Sequence, residues 1–90
     1  MDLNISGTVL QYKADASNKD EVIELLKTFV NWKLSENDYG REIHITDNRP
    51  GRNDLHVIEP SDIVLTFNNG IANYIFNKPE QLKKHFGIVL

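Results

Sequence analysis

Residues 63–76 read IVLTFNNGIANYIF, and this stretch decides the fold because it holds the sharpest local signal in the chain. Two apolar, alternating segments flank Asn69-Gly70, which predicts a β-hairpin with a two-residue turn. Such a turn fixes the register of its two strands. The residues that then face one another on the apolar side are Ile63, Leu65 and Phe67 with Phe76, Tyr74 and Ala72. On the polar side, Thr66 pairs with Asn73.

Working outward from this hairpin, an earlier pair of alternating segments predicts a second one. Arg41–Asp47 and Leu55–Glu59 flank a turn-rich loop, residues 48–54. Folding the chain about the middle of that loop places Ile45 opposite Val57. The four alternating apolar residues of the two strands then share one face, so the predicted hairpin is self-consistent. They are Ile43, Ile45, Leu55 and Val57.

Helical spacing of apolar residues marks two further segments. Ser17 is a favourable N-cap, with acidic residues in the next turn, and the apolar spacing predicts a helix from Asn18 to about Leu34. A second, short helix is predicted after Asn77, which serves as its cap, and it ends at Gly87.

The remaining segments complete the expected fold. Leu3–Lys13 predicts a first strand, with a bulge or bend at Gly7, and the apolar tail 88–90 would add an edge strand or cover the core. The order is β-α-β-β-β-β-α, and only the first connection carries a long helix. We therefore predict a single α+β domain over residues 1–90. It has a mainly antiparallel sheet of four to six strands, with one long and one short helix on one face.

Composition excludes several functional classes. The 90 residues contain no cysteine, which excludes disulfides and thiolate chemistry and is typical of a reducing compartment. The formal net charge of −3 argues against nucleic-acid binding. The N-terminus shows no signal-peptide pattern, and the apolar runs are too short to span a membrane. We expect a cytoplasmic protein.

Histidines offer one route to an enzyme. In the second hairpin as predicted, His44 and His56 share the outward face with Glu42, so a metal-dependent enzyme using these three residues is an alternative. Exposed histidines on a polar sheet face are commoner than metal sites, and the spacing is not that of a known metal motif. Nucleophile-elbow and phosphate-loop motifs are also absent from the sequence. We therefore expect no catalytic residue, metal or cofactor.

The loop of residues 48–54 is the strongest positive feature for binding. Arg49 and Arg52 lie in it, and Arg41 begins the strand before it. Their guanidinium groups could hold phosphates or carboxylates, although an ordinary hairpin loop with solvated charges is the simpler interpretation. Trp32, expected near the end of the long helix, would be an interaction hot spot if exposed.

A resemblance adds a functional expectation. Residues 57–65 read VIEPSDIVL, and Asn69-Gly70, Tyr74, Pro79 and Phe86 follow in order. This layout resembles small bacteriophage or prophage accessory proteins with a Val-x-Pro-Gly-Asp-Ile-Val type of strand, a glycine hairpin and a closing helix. Ser61 stands where those proteins have glycine. The resemblance implies no catalytic residues, and proteins of this kind often bind and block a host factor.

The leading hypothesis is therefore a non-enzymatic phage-type protein in the cytoplasm of a bacterial host. It would bind and inhibit a host protein such as a component of a defence system, in the manner of an anti-CRISPR protein. The alternative is a sponge for a small ligand or nucleotide that uses the arginines of the loop. A homodimer could form through an edge strand, from residues 3–13 or from the tail.

Overall fold

The computed structural model describes residues 7–90 and confirms an α+β fold with antiparallel strands. The elements are β1 (Gly7–Gln11), α1 (Lys19–Leu26), β2 (Trp32–Leu34), β3 (Ile43–Asp47), β4 (Leu55–Ile58), β5 (Ile63–Phe67), β6 (Ala72–Phe76) and α2 (Pro79–Phe86). The strands form two antiparallel sheets. The first sheet has the order β1-β5-β6, and the second has the order β2-β3-β4. The start of the predicted first strand, residues 3–6, lies outside the described residues.

The hairpin of β5 and β6 has the predicted turn and register. Asn69 and Gly70 have φ angles of 55° and 86°, and the Ile71 N–H donates to the Asn68 carbonyl at 3.1 Å, as in a type I′ turn. Thr66 faces Asn73, and the Thr66 hydroxyl donates to the amide oxygen of Asn73 at 2.8 Å.

Gly70 also joins the hairpin to the rest of the fold. A Cβ atom at this position would collide with the carbonyl oxygen of Thr28. The Gly70 carbonyl in turn accepts a hydrogen bond from the Val30 N–H at 2.9 Å. The turn therefore requires glycine both for its positive φ and for this close approach.

The hairpin of β3 and β4 is shifted by one residue from the predicted register. Ile45 lies opposite His56 rather than Val57, because the Asp47 N–H donates to the Asp54 carbonyl and sets the pairing from the loop side. This shift places His56 on the inner face with the buried Ile58.

The helix α1 begins later than predicted. Asn18, not Ser17, precedes its first turn, and the Asn18 side chain makes no capping bond. Its amide oxygen instead accepts from the Lys13 N–H at 2.8 Å, and its amide nitrogen donates to the Gln11 carbonyl at 2.9 Å. Asn18 therefore fastens the end of β1 to the start of the helix.

The helix α1 also ends eight residues earlier than predicted, at Leu26. The following turns bury Phe29, and Trp32–Leu34 then forms β2 against β3. Aromatic and β-branched residues are enriched after Lys27, and they fit a strand better than a helix. This strand is the extra element relative to the predicted order.

The helix α2 begins at Pro79, and Gly87, with φ of 68°, ends it as predicted. Its N-cap residue is Lys78, not Asn77, and Lys78 caps it without a side-chain hydrogen bond. The Asn77 N–H donates instead to the Gln81 side chain at 3.2 Å.

Two hydrophobic cores lie on opposite faces of the first sheet. The first core fills the space between the two sheets and α1: its buried residues are Tyr12, Val22, Leu26, Phe29, Ile43, Ile45, Ile58 and Val64. The second core lies under α2: its buried residues are Val9, Ile63, Leu65 and Leu82. The two helices therefore pack on opposite faces rather than on one, because successive side chains of a strand alternate between faces.

Two smaller expectations concerned Gly7 and the tail. Gly7 pairs with Phe67 in an unbroken ladder, and a Cβ there would lie 2.6 Å from that of Phe67, so close approach rather than a bulge explains this glycine. Of the two roles expected for the tail, it forms no strand but partly covers the core: Ile88 packs on the second core, whereas Val89 is exposed.

Candidate functional site

The loop of residues 48–54 is organised around an internal ion pair. The side chain of Asp47 is only 1% exposed, and the guanidinium of Arg49 contacts both of its oxygens, at 3.0 Å from Nε to Oδ1 and 2.5 Å from Nη2 to Oδ2. The hydrogen bonds from the Arg49 side chain lower the pKa of Asp47 to about 2. The guanidinium that was expected to hold a phosphate or carboxylate of a ligand therefore holds the carboxylate of Asp47, the last residue of β3.

The other two arginines of the predicted site have contacts of their own, although the charge of Arg52 also helps to lower the pKa of Asp47. Arg52 has a carboxylate neighbour of its own, Asp54, at 3.9 Å. The main-chain carbonyl of Arg41 accepts a hydrogen bond from the buried Tyr12 hydroxyl at 2.6 Å, which fixes the start of the strand. Burial raises the pKa of Tyr12, and the charge of Arg41 opposes that rise.

His44 is held on the outer face of the second sheet. Its ring stacks on Tyr39, with centroids 3.6 Å apart and planes 1° from parallel, and its Nε2 lies 3.2 Å from Glu42 Oε1. His44 and Glu42 are thus close to each other, as predicted. The stacked ring and its carboxylate neighbour form a local surface contact.

His56 does not share that face, contrary to prediction. The one-residue shift in register turns it to the opposite face of the sheet, where it stays exposed and its ring meets Trp32 edge to face at 6.5 Å between centroids. Within residues 7–90, no cluster of three histidine, aspartate or glutamate side chains is placed to hold a metal ion. The ligand set His44, His56 and Glu42 is therefore not assembled.

Trp32 is half-buried in β2 and packs against the first core. It lines a small cavity of about 100 Å³ between the two sheets, together with apolar residues of both. His56 and Asn73 lie at the polar side of this cavity.

A larger groove, of about 530 Å³, lies between β4, β6 and α2. Val57 contributes from β4, Phe76 from β6 and His85 from α2, while Glu59 and Asp62 bring carboxylates from the turn after β4. Asp62 Oδ2 already accepts the Glu59 N–H at 2.8 Å, which holds the two acidic residues side by side. His56 and Ile75 line both the groove and the small cavity, so the two spaces adjoin.

Both strands that flank the groove are edge strands in the described part of the chain. Antiparallel pairs alternate between residues that exchange hydrogen bonds and residues that do not. Ile71 and Asn68 form a hydrogen-bonded pair next to the turn, so the following pairs along β6 alternate from there. The N–H and carbonyl groups of Ala72, Tyr74 and Phe76 therefore point away from β5.

The same alternation applies to β4. The bond from the Asp47 N–H to the Asp54 carbonyl sets it, and it directs the main-chain groups of Leu55 and Val57 away from β3. Val57 and Phe76 therefore bring outward-facing main-chain groups of two strand edges to one groove.

An aromatic row follows β6 on the side of α2. Its members are Phe67, Tyr74, Phe76, Phe86 and His85. Tyr74 is 42% exposed, and the Phe76 and His85 rings lie 5.8 Å apart and nearly parallel at the border of the groove. The row gives the open edge of β6 an aromatic flank.

Comparison of the chain with protein-family models, with curated proteins and with solved structures finds no significant match. Neither helix within residues 7–90 is long and apolar enough to cross a membrane.

Sequence reasoning missed this groove for an identifiable reason. The groove forms between two sheets, and the prediction had placed all strands in one. A usable signal was present in Ile58, an apolar residue out of phase with Leu55 and Val57, because it allows the register in which His56 turns to the opposite face of the sheet.

Proposed function

We propose that this protein is a non-enzymatic binding protein that docks onto a host protein and blocks it, as an anti-defence protein of a bacteriophage acting in the bacterial cytoplasm. One observation carries the proposal: Val57 and Phe76, from the open edges of two different sheets, line one groove. Edge strands offer rows of main-chain donors and acceptors that another chain can pair with.

The outer face of the second sheet adds to the support. Leu55 is 56% exposed there and Tyr39 is 41% exposed, next to the stacked His44. Aromatic and aliphatic side chains of this kind are common at protein interfaces. The groove and this face adjoin along β4, so a partner could contact both.

The alternative, a protein that sequesters a small ligand or nucleotide with the arginines of the loop of residues 48–54, has less support. The Nε and Nη2 groups of Arg49 already hold Asp47, and a phosphate that took this edge of the guanidinium would leave the buried carboxylate without its cation.

The proposal is tested by expressing the chain in bacteria that each carry one defined defence system, and by measuring the plating efficiency of a phage which that system restricts. We expect the chain to restore plating against at least one system. Val57→Lys places a charge on the open edge of β4 and should abolish the rescue, whereas Val89→Lys, at a position already 67% exposed, should keep it.

Thermal melting of both variants shows whether the fold is retained. Two results would count against the proposal. One is a panel in which no defence system is relieved. The other is a rescue that survives Val57→Lys while the variant remains folded.

A further inference from the structure

We propose that the partner contributes an extended segment that adds as a fourth strand to the open edge of β6, with a lysine or arginine of that segment on Glu59 and Asp62. This inference rests on the proposed function and names the chemistry of the partner. The edge of β6, the adjoining cavity and the two carboxylates are its three supports.

The main chain of β6 provides the first support. Ala72, Tyr74 and Phe76 turn their N–H and carbonyl groups outward, and within residues 7–90 no strand pairs with them. An added strand would satisfy these groups in the same antiparallel or parallel pattern that any sheet uses. Three residues with outward groups match a partner segment of about five to six residues, a common strand length.

The side-chain surroundings of the edge provide the second support. Residues of an added strand would alternate between the two faces of the first sheet. On one face they meet the cavity beside Trp32 and Ile75, whose volume of about 100 Å³ suits a small aliphatic side chain. On the other face they meet the aromatic rings of Tyr74 and Phe76.

Charge provides the third support and selects the partner. Glu59 and Asp62 lie beside the Phe76 end of the edge and give the groove two formal negative charges. A basic residue in the added segment would meet them. A second copy of this chain would not, because antiparallel pairing of β6 with itself brings the uncharged turn of residues 68–71 to that end.

The test is a selection from a displayed library of random peptides of about ten residues on the immobilised protein at neutral pH. We expect a consensus with apolar residues at alternating positions and one lysine or arginine near an end. Hydrogen exchange of the Ala72, Tyr74 and Phe76 amides should slow when a synthetic peptide of that consensus binds.

Two substitutions at one position separate the main chain from the side chain. Tyr74→Pro removes the outward N–H, at an edge position where proline costs no ladder bond, and should weaken binding by about tenfold or more. Tyr74→Thr removes the same ring and keeps the N–H, so it should bind more tightly than Tyr74→Pro. Equal loss in both variants would overturn strand addition.

Charge is tested by Glu59→Gln, alone and combined with Asp62→Asn. The selected peptide should weaken several-fold, and its lysine-to-glutamate version should lose this dependence. The inference is also wrong if the selected peptides are acidic or uncharged, or if the selection yields no consensus sequence. If the protein is a dimer in solution and Tyr74→Pro makes it a monomer, a second copy of the chain occupies the edge of β6, and the inference is wrong.

The two proposals fail in distinguishable ways. If plating rescue depends on Val57 but the peptide results are negative, the binding function stands and strand addition to β6 is wrong. If peptides bind as expected but no defence system is relieved, the edge is a peptide site with a different purpose.

Discussion

The two hairpins differ in what sets their register. In the β5–β6 hairpin, the Asn69-Gly70 turn sets the pairing from neighbouring residues alone. In the β3–β4 hairpin, a longer loop leaves the register open by one residue, and the strands close with the Asp47 N–H bonded to the Asp54 carbonyl while the buried Asp47 side chain is held by Arg49. A tight turn thus encodes its register in local geometry, whereas a long loop relies on contacts that form only in the folded state.

Replacing the glycine in each turn gives the largest expected contrast. Gly70→Ala should destabilise the fold by about 2–4 kcal/mol or prevent folding, because φ is positive and the new methyl group meets the Thr28 carbonyl. Gly51→Ala has a positive φ but open space around it, so about 1 kcal/mol is expected. Chemical denaturation measures both, and equal losses would contradict the role given to the contact with Thr28.

The second prediction concerns how the stability of the fold falls at low pH. Because the folded-state pKa of Asp47 is lowered to about 2, the pair with Arg49 stabilises the protein at pH values above the ordinary carboxyl range. That contribution is lost as the pH falls from about 4 toward 2. Asp47→Asn should therefore melt below the wild type at pH 7 and approach it near pH 2. A melting difference that stays constant over this range would contradict the assignment.

The third prediction concerns the polar face of the β5–β6 hairpin. Thr66 is buried, and its hydroxyl donates to Asn73. Thr66→Val should cost about 1 kcal/mol, because it removes one hydrogen bond while keeping the branched shape. Urea denaturation measures this loss, and Thr46→Val, on the exposed face of β3, serves as the matched control with little expected change. A stabilised Thr66→Val variant would show that the bond contributes nothing.

The smallest effect is expected at Arg52. Its contact with Asp54 is 3.9 Å long and both side chains are more than half exposed, so Arg52→Ala should change stability by less than about 0.5 kcal/mol. Arg49→Ala should be clearly more destabilising, because it leaves the buried Asp47 carboxylate without its cation. If the two substitutions cost the same, the loop is not organised around Asp47.

Much of the first sheet was predictable from the sequence. The residues of β5 and β6, their pairing and the end of α2 at Gly87 follow from turn chemistry and alternation. The end of α1 was not predictable in the same way. The apolar spacing continues through Phe29, and only packing against both sheets shows that the chain leaves the helix at Leu26.

The candidate site was predictable only in part. The sequence showed Arg49 and Arg52 as the basic residues of a loop. It did not show that Asp47 and Asp54 are their partners. The groove escaped prediction altogether, because it depends on how two sheets meet and on a register shift of one residue at His56. Such features arise from tertiary packing rather than from any local pattern.

The hydrogen bond between Val30 and Gly70 has a consequence for how the chain folds while it is being synthesised. The two residues are about 40 positions apart, so the segment that becomes β2, β3 and β4 leaves the ribosome before the turn on which its first end rests. The first sheet, on which the second sheet packs, stays incomplete until β5, the Asn-Gly turn and β6 have emerged. Once exposed, that turn closes within microseconds, since its contacts are local. The last third of the chain thus provides the template on which the earlier part completes its structure.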